Sequence, residues 1–484
     1  MEVELRKKWK NVEGNQSAFP LRQYRPTSLE ETVAVVREAE SLGVTVRAIG
    51  SSHSWSDVCV TPDFLLLPFG LNKPLALNTS VLKSTVPTSN LVEVESGIRL
   101  RELNEFLDGR GLALPNMGGY DGQTIVGVMS TSTHGSGLSF GPLAEMVVSL
   151  DMVASGGRIY RIEPSDGITD PRTYGTRYPD RILKQDDRWF NAVLVSMGCM
   201  GVVYSVILKV VPKFWLQETR ILSTWEKLKP ILRRGEVFLN AHYELLLNPY
   251  AVDGEHACLE TFRLPHAAPS STPHRDRHRH FFNELLSSIP ITAQVLKLVF
   301  DKNPHVTPKL ISRTLKGLVD EAYIDKSYKV FNIGRGNDID AYSAELALPM
   351  AHDVYIDAID CILELAAQIA REGSIYQSGP IALRFVRGTD IFLSMQQGGN
   401  TCMAEIINVK DTKGALELMY RYEHEMYRFG GRPHWGQVNY ISGSEVHRLY
   451  PHLQDWLDIR QILNANGTFD SPFSWRVGLT HPCL

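Results

Sequence analysis

Glycine and hydroxyl side chains gather at four places along the chain. These are Gly50-Ser51-Ser52-His53-Ser54, Asn116-Met117-Gly118-Gly119-Tyr120-Asp121-Gly122, Thr131-Ser132-Thr133-His134-Gly135-Ser136-Gly137 and Gly198-Cys199-Met200-Gly201. Backbone N–H groups and hydroxyls in such loops hold pyrophosphate, and glycine permits its close approach. That is the chemistry of a phosphate-bearing cofactor. Ordinary turns give the same composition, and composition alone leaves both readings open. Two familiar phosphate sites are missing. No GxGxxG opens a helix after the first strand and no GxxxxGK[ST] occurs, so neither Rossmann dinucleotide binding nor a P-loop is supported.

The elements that must position these loops are legible on either side of them. Thr27-Ser28-Leu29-Glu30-Glu31 reads as a helix start with capping-box spacing between Ser28 and Glu31. Leu29, Val33, Val36, Ala39 and Leu42 follow at helical spacing, and Gly43 suits the position just past the end. Residues 44–49 alternate like a strand that delivers the chain to Gly50. A second strand-then-helix unit follows, with residues 91–95 as strand and Leu100, Leu103, Phe106 and Leu107 as a helix face. Residues 115–141 keep neither period, and long irregular loops in a compact domain usually carry function. Residues 146–153 and 158–162 predict a hairpin around Ser155-Gly156-Gly157, and residues 202–211 an apolar strand closed by Pro212. From about residue 213 short apolar strands (243–247, 344–348, 403–409) alternate with helical patterns such as 354–370. This predicts a second domain, a sheet covered by helices, with residues 265–273 as an exposed connector. No internal repeat is present.

At 484 residues the chain has room for two or three domains at roughly 150 residues each. Lys and Arg number 50 against 54 Asp and Glu, a net charge of −4, so no global basic character points to nucleic acid. The one basic cluster, residues 274–280, reads as a solvated loop rather than a phosphate-binding patch. No apolar window is long enough for a membrane span, and the charged N-terminus carries no secretory apolar region. The six cysteines lie far apart without a CxxC pair, so neither structural zinc nor a disulfide framework is suggested. Reduced thiols in a cytoplasmic protein are expected, with no metal.

Taken together, the motifs carry a resemblance. Arg47-Ala48-Ile49-Gly50-Ser51-Ser52-His53-Ser54 resembles the first flavin loop of the vanillyl-alcohol-oxidase-type FAD family, and Trp9-Lys10-Asn11 to Ser17 is similar to its chain start. Asn116-Met117-Gly118-Gly119 with Gln123-Thr124, then Thr133-His134-Gly135-Ser136-Gly137, resembles the second loop of its gulonolactone, arabinonolactone and alditol oxidase subgroup. Gly198 with Gly201-Val202-Val203 resembles the third. Pro380-Ile381 with Arg384-Phe385, the run Phe429-Gly430-Gly431-Arg432-Pro433-His434-Trp435, and Asn466-Gly467-Thr468-Phe469 match further on, in the family's order.

The resemblance implies an α+β, two-domain FAD-binding (PCMH-type) fold with a sheet-and-helix substrate cap. Residues 1–212 would bind FAD, 213–429 would form the cap, and 430–484 would return to the FAD domain. FAD would be held by Arg47, Ile49, Gly50, Ser51, Ser52, His53, Ser54, Gly118, Gly119, Thr124, Gly127, Thr131, His134, Gly135 and Val202. His53 matches a histidine covalently attached to FAD in relatives. Doubly linked relatives add a cysteine in the second loop, and none lies there, so a single link is implied. Arg384 matches an arginine over the flavin that contacts the substrate oxygen, where a fixed guanidinium stabilises developing negative charge. His434 would be a general base, a substrate partner or a structural histidine, and Gln437 a pocket residue, with Asn439 and Tyr440 less strongly indicated. His242 and Glu345 would serve the core or support the site.

The implied reaction oxidises a CH–OH group of a sugar-like alcohol or lactone, with dioxygen as acceptor and hydrogen peroxide as product. Gly118 matches a position on the oxygen path that is often glycine in oxidases and alanine in a plant lactone dehydrogenase. Two departures stand out. Relatives carry Glu where this chain has Ala382, and Lys where it has Gln437. Losing both predicts an Arg384 with less charge around it, a less polar pocket and a less polar or modified alcohol as substrate. A flavin-binding protein without catalysis is the further alternative.

Overall fold

The computed structural model describes residues 1–268, 293–319, 322–333 and 340–480. The basic cluster 274–280, most of the connector 265–273 and Cys483 lie outside the described residues.

The first helix, Leu29–Leu42, starts where expected: the Ser28 side chain accepts the Glu31 N–H, and Gly43 closes it with a left-handed φ of 65°. The capping box is only half formed, because the Glu31 carboxylate accepts the Thr27 N–H at 2.7 Å instead of turning back to Ser28. The helix buries Leu29, Val35, Val36 and Ala39 and delivers the strand Val46–Ala48. That strand lies parallel to Phe64–Leu66 in a small sheet with Arg22–Arg25 and Glu2–Leu5.

A six-stranded sheet follows, in spatial order Arg181–Gln185, Arg158–Glu163, Val147–Ala154, Val202–Lys209, Leu91–Glu95 and Pro74–Leu75. Its centre is the hairpin predicted around Ser155-Gly156-Gly157, with Ala154 opposite Arg158. One element breaks the expected irregularity of residues 115–141. Ile125–Ser130 is a helix, capped by Thr124, whose hydroxyl accepts the Gly127 N–H at 3.3 Å. At six residues, with a glycine inside, it is too short to show a period in sequence.

The third large unit is an eight-stranded antiparallel sheet. Its order is Tyr323–Lys326, Trp215–Thr224, Ala257–His266, His242–Leu247, Ile381–Val386, Thr401–Val409, Ala341–Pro349 and Arg432–Pro433. Side chains alternate between faces along each strand. Tyr243, Leu245 and Leu247, Ile381, Leu383 and Phe385, and Cys402, Ala404 and Ile406 pack with helices Trp225–Arg234, Thr307–Gly317, Val354–Gly373 and Ala415–Met426 into one core. The intervening residues therefore face the other way, toward the first two sheets.

After Arg432–Pro433 the chain crosses back. The Val46 N–H donates to the Thr468 carbonyl at 2.7 Å, Trp456 Nε1 donates to the Val195 carbonyl, and Arg476 pairs with Asp57. Five described cysteines are free thiols, and no helix among the described residues is long and apolar enough to cross a membrane.

Candidate active site

A cavity of about 540 Å³ lies between the glycine-rich loops and the free face of the large sheet. Its first wall is the segment Gly50 to Ser54. Here Ser52 takes a left-handed φ of 64°, which turns consecutive N–H groups to one side. Among the described residues, none accepts a hydrogen bond from the backbone N–H groups of Gly50, Ser51, Ser52, His53 or Ser54. A run of N–H donors on a cavity wall calls for an anionic ligand. Side chains brace the loop from behind: Trp9 Nε1 donates to Ser52 Oγ, and Asn11 Nδ2 to the Ser54 carbonyl. Gly50 permits the close approach of the short helix, since a Cβ there would stand 2.5 Å from Thr124 Oγ1.

His53 is partly buried, and its Nε2 lies 3.3 Å from the Tyr120 hydroxyl. Burial, then the positive charges of Arg99 and Arg101, push its pKa down to about 4, so the ring is neutral at neutral pH. The loop continues to Trp55, whose N–H donates to the Gly436 carbonyl at 2.8 Å, while Ser56 Oγ donates to the Trp435 carbonyl at 2.7 Å. The His-Trp segment near the C-terminus is thereby pinned against the first loop.

The opposite wall is the free face of the large sheet. Register puts Leu246, Ala382, Glu405 and Glu345 in one row across four strands, and Glu244, Arg384, Met403 and Ala347 in the next. Arg384 Nε lies 3.3 Å from Glu244 Oε2, and Arg263 Nη2 holds the other oxygen of Glu244 at 2.5 Å. Burial alone would raise the Glu244 carboxyl, but these two guanidiniums hold it down, to about 2. Glu345 behaves likewise: burial opposes ionisation, and His134, with Nε2 at 3.2 Å from Glu345 Oε2, outweighs it together with His434 and Arg384. Glu405 goes the other way. Burial and the facing Glu345 raise it, against the pull of Arg384. The two walls meet at Gly119, where a Cβ would stand 3.3 Å from Arg384 Nη2.

His434 is held by its own N–H to the Glu345 carbonyl at 2.9 Å. Its Nδ1 accepts the Gly436 N–H at 3.0 Å. Burial pushes its pKa down to about 4, against Glu345, so the neutral ring carries its proton on Nε2. Ser343 Oγ donates to Glu405 Oε1 at 2.7 Å and lies 3.0 Å from Gln437 Oε1.

Of the residues singled out in the sequence, Ile49, Gly50, Ser51, Ser52, His53 and Ser54 line the cavity, as do Gly118, Gly119, Thr124, Gly127, Thr131, His134 and Val202. Arg384, His434 and Gln437 line it from the other side. Arg47 and Gly135 stand behind it. Arg47 donates from Nε to the Val58 carbonyl, and a Cβ on Gly135 would strike Asn116. His242, stacked on Phe140 with Nδ1 2.8 Å from the Ser136 carbonyl, is a supporting residue as expected. Glu345 is more than that, since it lines the cavity, and its Oε1 is buried without a hydrogen-bond partner. Glu244 and Glu405 were not found by sequence. The signal was available: each is a lone carboxylate inside an apolar strand whose alternate residues are all core.

Ala382 does not leave Arg384 without acidic neighbours. Glu244 and Glu405 on the two flanking strands, and Glu345 one strand beyond Glu405, all act on its guanidinium.

Residues 20–163 match the model of an FAD binding domain, and residues 206–477 that of D-arabinono-1,4-lactone oxidase. The chain is 30% identical over 477 residues to an L-gulono-1,4-lactone dehydrogenase of Mycobacterium tuberculosis, covering 97% of this chain and 98% of that protein. It is 27% identical to the L-gulonolactone oxidase of Bos taurus, covering 96% of each. In fold it is similar to a cholesterol oxidase from B. sterolicum, with a TM-score of 0.76 at 12% identity over 98% of this chain and 97% of that one. An FAD-binding half matched at residues 20–163, a second half matched at 206–477, and relatives matched along nearly their whole length place the chain in the D-arabinono-1,4-lactone oxidase family of FAD-dependent oxidoreductases.

Proposed function

We propose that this protein oxidises a CH–OH group of a sugar-like lactone or alcohol, with FAD held covalently through His53 and dioxygen as the final acceptor. The observation that carries this reading is one cavity bounded by two complementary walls. One is a run of unpaired N–H groups next to a neutral histidine. The other is a guanidinium among carboxylates.

The donor set fits FAD. The N–H groups of Gly50 to Ser54 suit its pyrophosphate, and Gly118, Gly119, Thr124, Gly127, Thr131 and Val202 line the rest of that side. A neutral imidazole is the nucleophilic form, and Tyr120 fixes the ring's orientation through Nε2. FAD held there would supply the hydride acceptor and the redox link to dioxygen, with hydrogen peroxide as product.

The protein's part is orientation and charge. Arg384, anchored on Glu244, meets the substrate oxygen and stabilises the negative charge it gains as its proton passes to Glu405 and hydride leaves the carbon. His434 in its Nε2–H tautomer is a second donor to that oxygen rather than a base. Glu345 and Glu405 are the acceptors available to substrate hydroxyl hydrogens. The large sheet on one side and Trp435, wholly buried beside His434, shield this corner from bulk water and strengthen these interactions.

The test is a panel of aldonolactones, polyols and simple alcohols offered to purified enzyme with peroxide as readout, after acid precipitation to locate the FAD. Peroxide with at least one hydroxylated substrate and flavin in the precipitate are expected. Flavin free in the supernatant would remove the covalent link, and no turnover across the panel would remove the oxidase reading.

A further inference from the structure

Tyr120 and His53 line the cavity side by side. The Tyr120 hydroxyl lies 3.3 Å from His53 Nε2, and the two rings meet edge-on with centroids 4.8 Å apart. Among the described residues the hydroxyl has no other partner. His53 Nδ1 has no partner there and keeps accessible surface. The chain on either side of Tyr120 is fixed. The Gly119 carbonyl accepts the Ile333 N–H, the Asp121 carbonyl the Arg101 N–H and the Gln123 carbonyl the Leu100 N–H, each at 2.9 Å. Gly122 leaves room for the phenol, since a Cβ there would overlap its hydroxyl end. Burial keeps the phenol protonated, above its ordinary range, against the pull of Arg101. One nitrogen of a neutral imidazole is thus held by a fixed hydroxyl, and the other is left open.

We propose that Tyr120 is a positioning residue for covalent attachment of the flavin, holding His53 by Nε2 so that Nδ1 forms the bond. This deepens the reading of His53 as the link and rests on it. A phenol both accepts and donates hydrogen bonds, and attachment needs the two in turn. Beforehand, Nε2–H donates to Tyr120 Oη, which leaves the lone pair on Nδ1. The new bond joins Nδ1 to a methyl carbon on the flavin ring as one C–H bond of that methyl breaks. The methyl proton and the Nε2 proton leave. The electron pair of the C–H bond passes through the ring system to dioxygen, which takes up two protons and becomes hydrogen peroxide. Nε2 then carries a lone pair, and Tyr120 turns its hydroxyl hydrogen to donate to it. Arg99 and Arg101 favour loss of the Nε2 proton, because both disfavour a cationic ring.

The experiment compares wild type, Tyr120→Phe and Tyr120→Gln, purified in air with excess FAD. The share of flavin carried in the acid precipitate is followed from lysis onward. Proton NMR of the flavin peptide released by proteolysis shows which imidazole nitrogen bears the link. Loss of one hydrogen bond predicts that attachment slows by about 10-fold in Tyr120→Phe. Its linked fraction should be divided between Nδ1 and Nε2, whereas wild type links through Nδ1 alone. Tyr120→Gln, whose amide both donates and accepts, should recover part of the rate. On a His53→Ala background, Tyr120→Phe should leave FAD affinity unchanged, because the hydroxyl then has no partner to lose. Weaker FAD binding on that background would make Tyr120 a flavin contact and overturn the proposal. Attachment in Tyr120→Phe at the wild-type rate, through Nδ1 alone, would overturn it while leaving His53 as the link. Wild type that releases all its FAD to the supernatant would overturn the link and the role of Tyr120 together.

Discussion

Replacing Arg384 with alanine separates a role in chemistry from a role in folding. The Arg384 guanidinium sits 3.3 Å from Glu244 Oε2 and is 18% exposed. Its partner does not depend on it alone, because Arg263 holds Glu244 through its other oxygen and Glu218 through Nε. The variant therefore leaves no orphaned buried carboxylate, and the loss of stability should be on the order of 1 kcal/mol rather than the several expected for a broken buried pair. Catalysis should suffer far more. Removing a preorganised donor at a developing oxyanion typically costs about 10²- to 10³-fold, and the loss should fall on flavin reduction. A second signature follows from charge. Arg384 lowers the pKa of both Glu345 and Glu405, so without it both titrate higher. If their ionised forms bind substrate, the acid limb of the reduction profile moves to higher pH. Arg384→Lys should return the limb but not the full rate, since a lysine lacks the planar fork. The assay is anaerobic rapid mixing across a pH series, with a thermal melt as the folding control. Near-normal reduction with an unmoved acid limb would refute the assignment of Arg384 to the substrate oxygen.

Three other perturbations probe separate parts of the account. His53→Ala should release FAD on acid precipitation while wild type retains it, and the variant should still fold because the N–H wall is main chain. Gly118→Ala adds a Cβ 3.2 Å from the His134 carbonyl oxygen and 3.8 Å from Thr133 Cγ2, with no left-handed φ to strain. It should slow reoxidation by dioxygen and spare anaerobic reduction, and equal loss in both halves would indicate a disturbed loop. Burial raises the Glu423 carboxyl from 4.5 to about 7, against the donors Tyr427 Oη and Tyr440 N–H. A carboxyl raised on folding stabilises below its unfolded pKa and loses that contribution as pH climbs toward 7. Glu423→Gln should therefore flatten the fall in stability between about pH 4.5 and 7 by about 3 kcal/mol, read from melts at the two ends. Parallel pH slopes in both proteins would contradict it.

The sequence made some of this architecture legible and hid the rest, for physical reasons. The helix Leu29–Leu42 and the hairpin around Ser155-Gly156-Gly157 follow from local rules of capping, periodicity and turn chemistry. So do the cap strands that carry Glu244, Glu345 and Glu405, which stand out as short apolar runs. The short helix Ile125–Ser130 escaped because six residues with an internal glycine carry no readable period. The carboxylates around Arg384 escaped for a deeper reason. Their grouping is a matter of register between strands distant in the chain: Glu244, Arg384 and Glu405 come from three separate segments. Position 382 in isolation suggested missing charge. Only strand pairing reveals that Glu405 stands directly across from it.

The most direct test of the central claim is an anaerobic titration of the purified holoenzyme with L-gulono-1,4-lactone and D-arabinono-1,4-lactone, followed by admission of oxygen. Bleaching of the flavin absorbance by at least one lactone, and its return on oxygenation with one peroxide per flavin, is the predicted result. A flavin spectrum that no lactone bleaches would contradict the account.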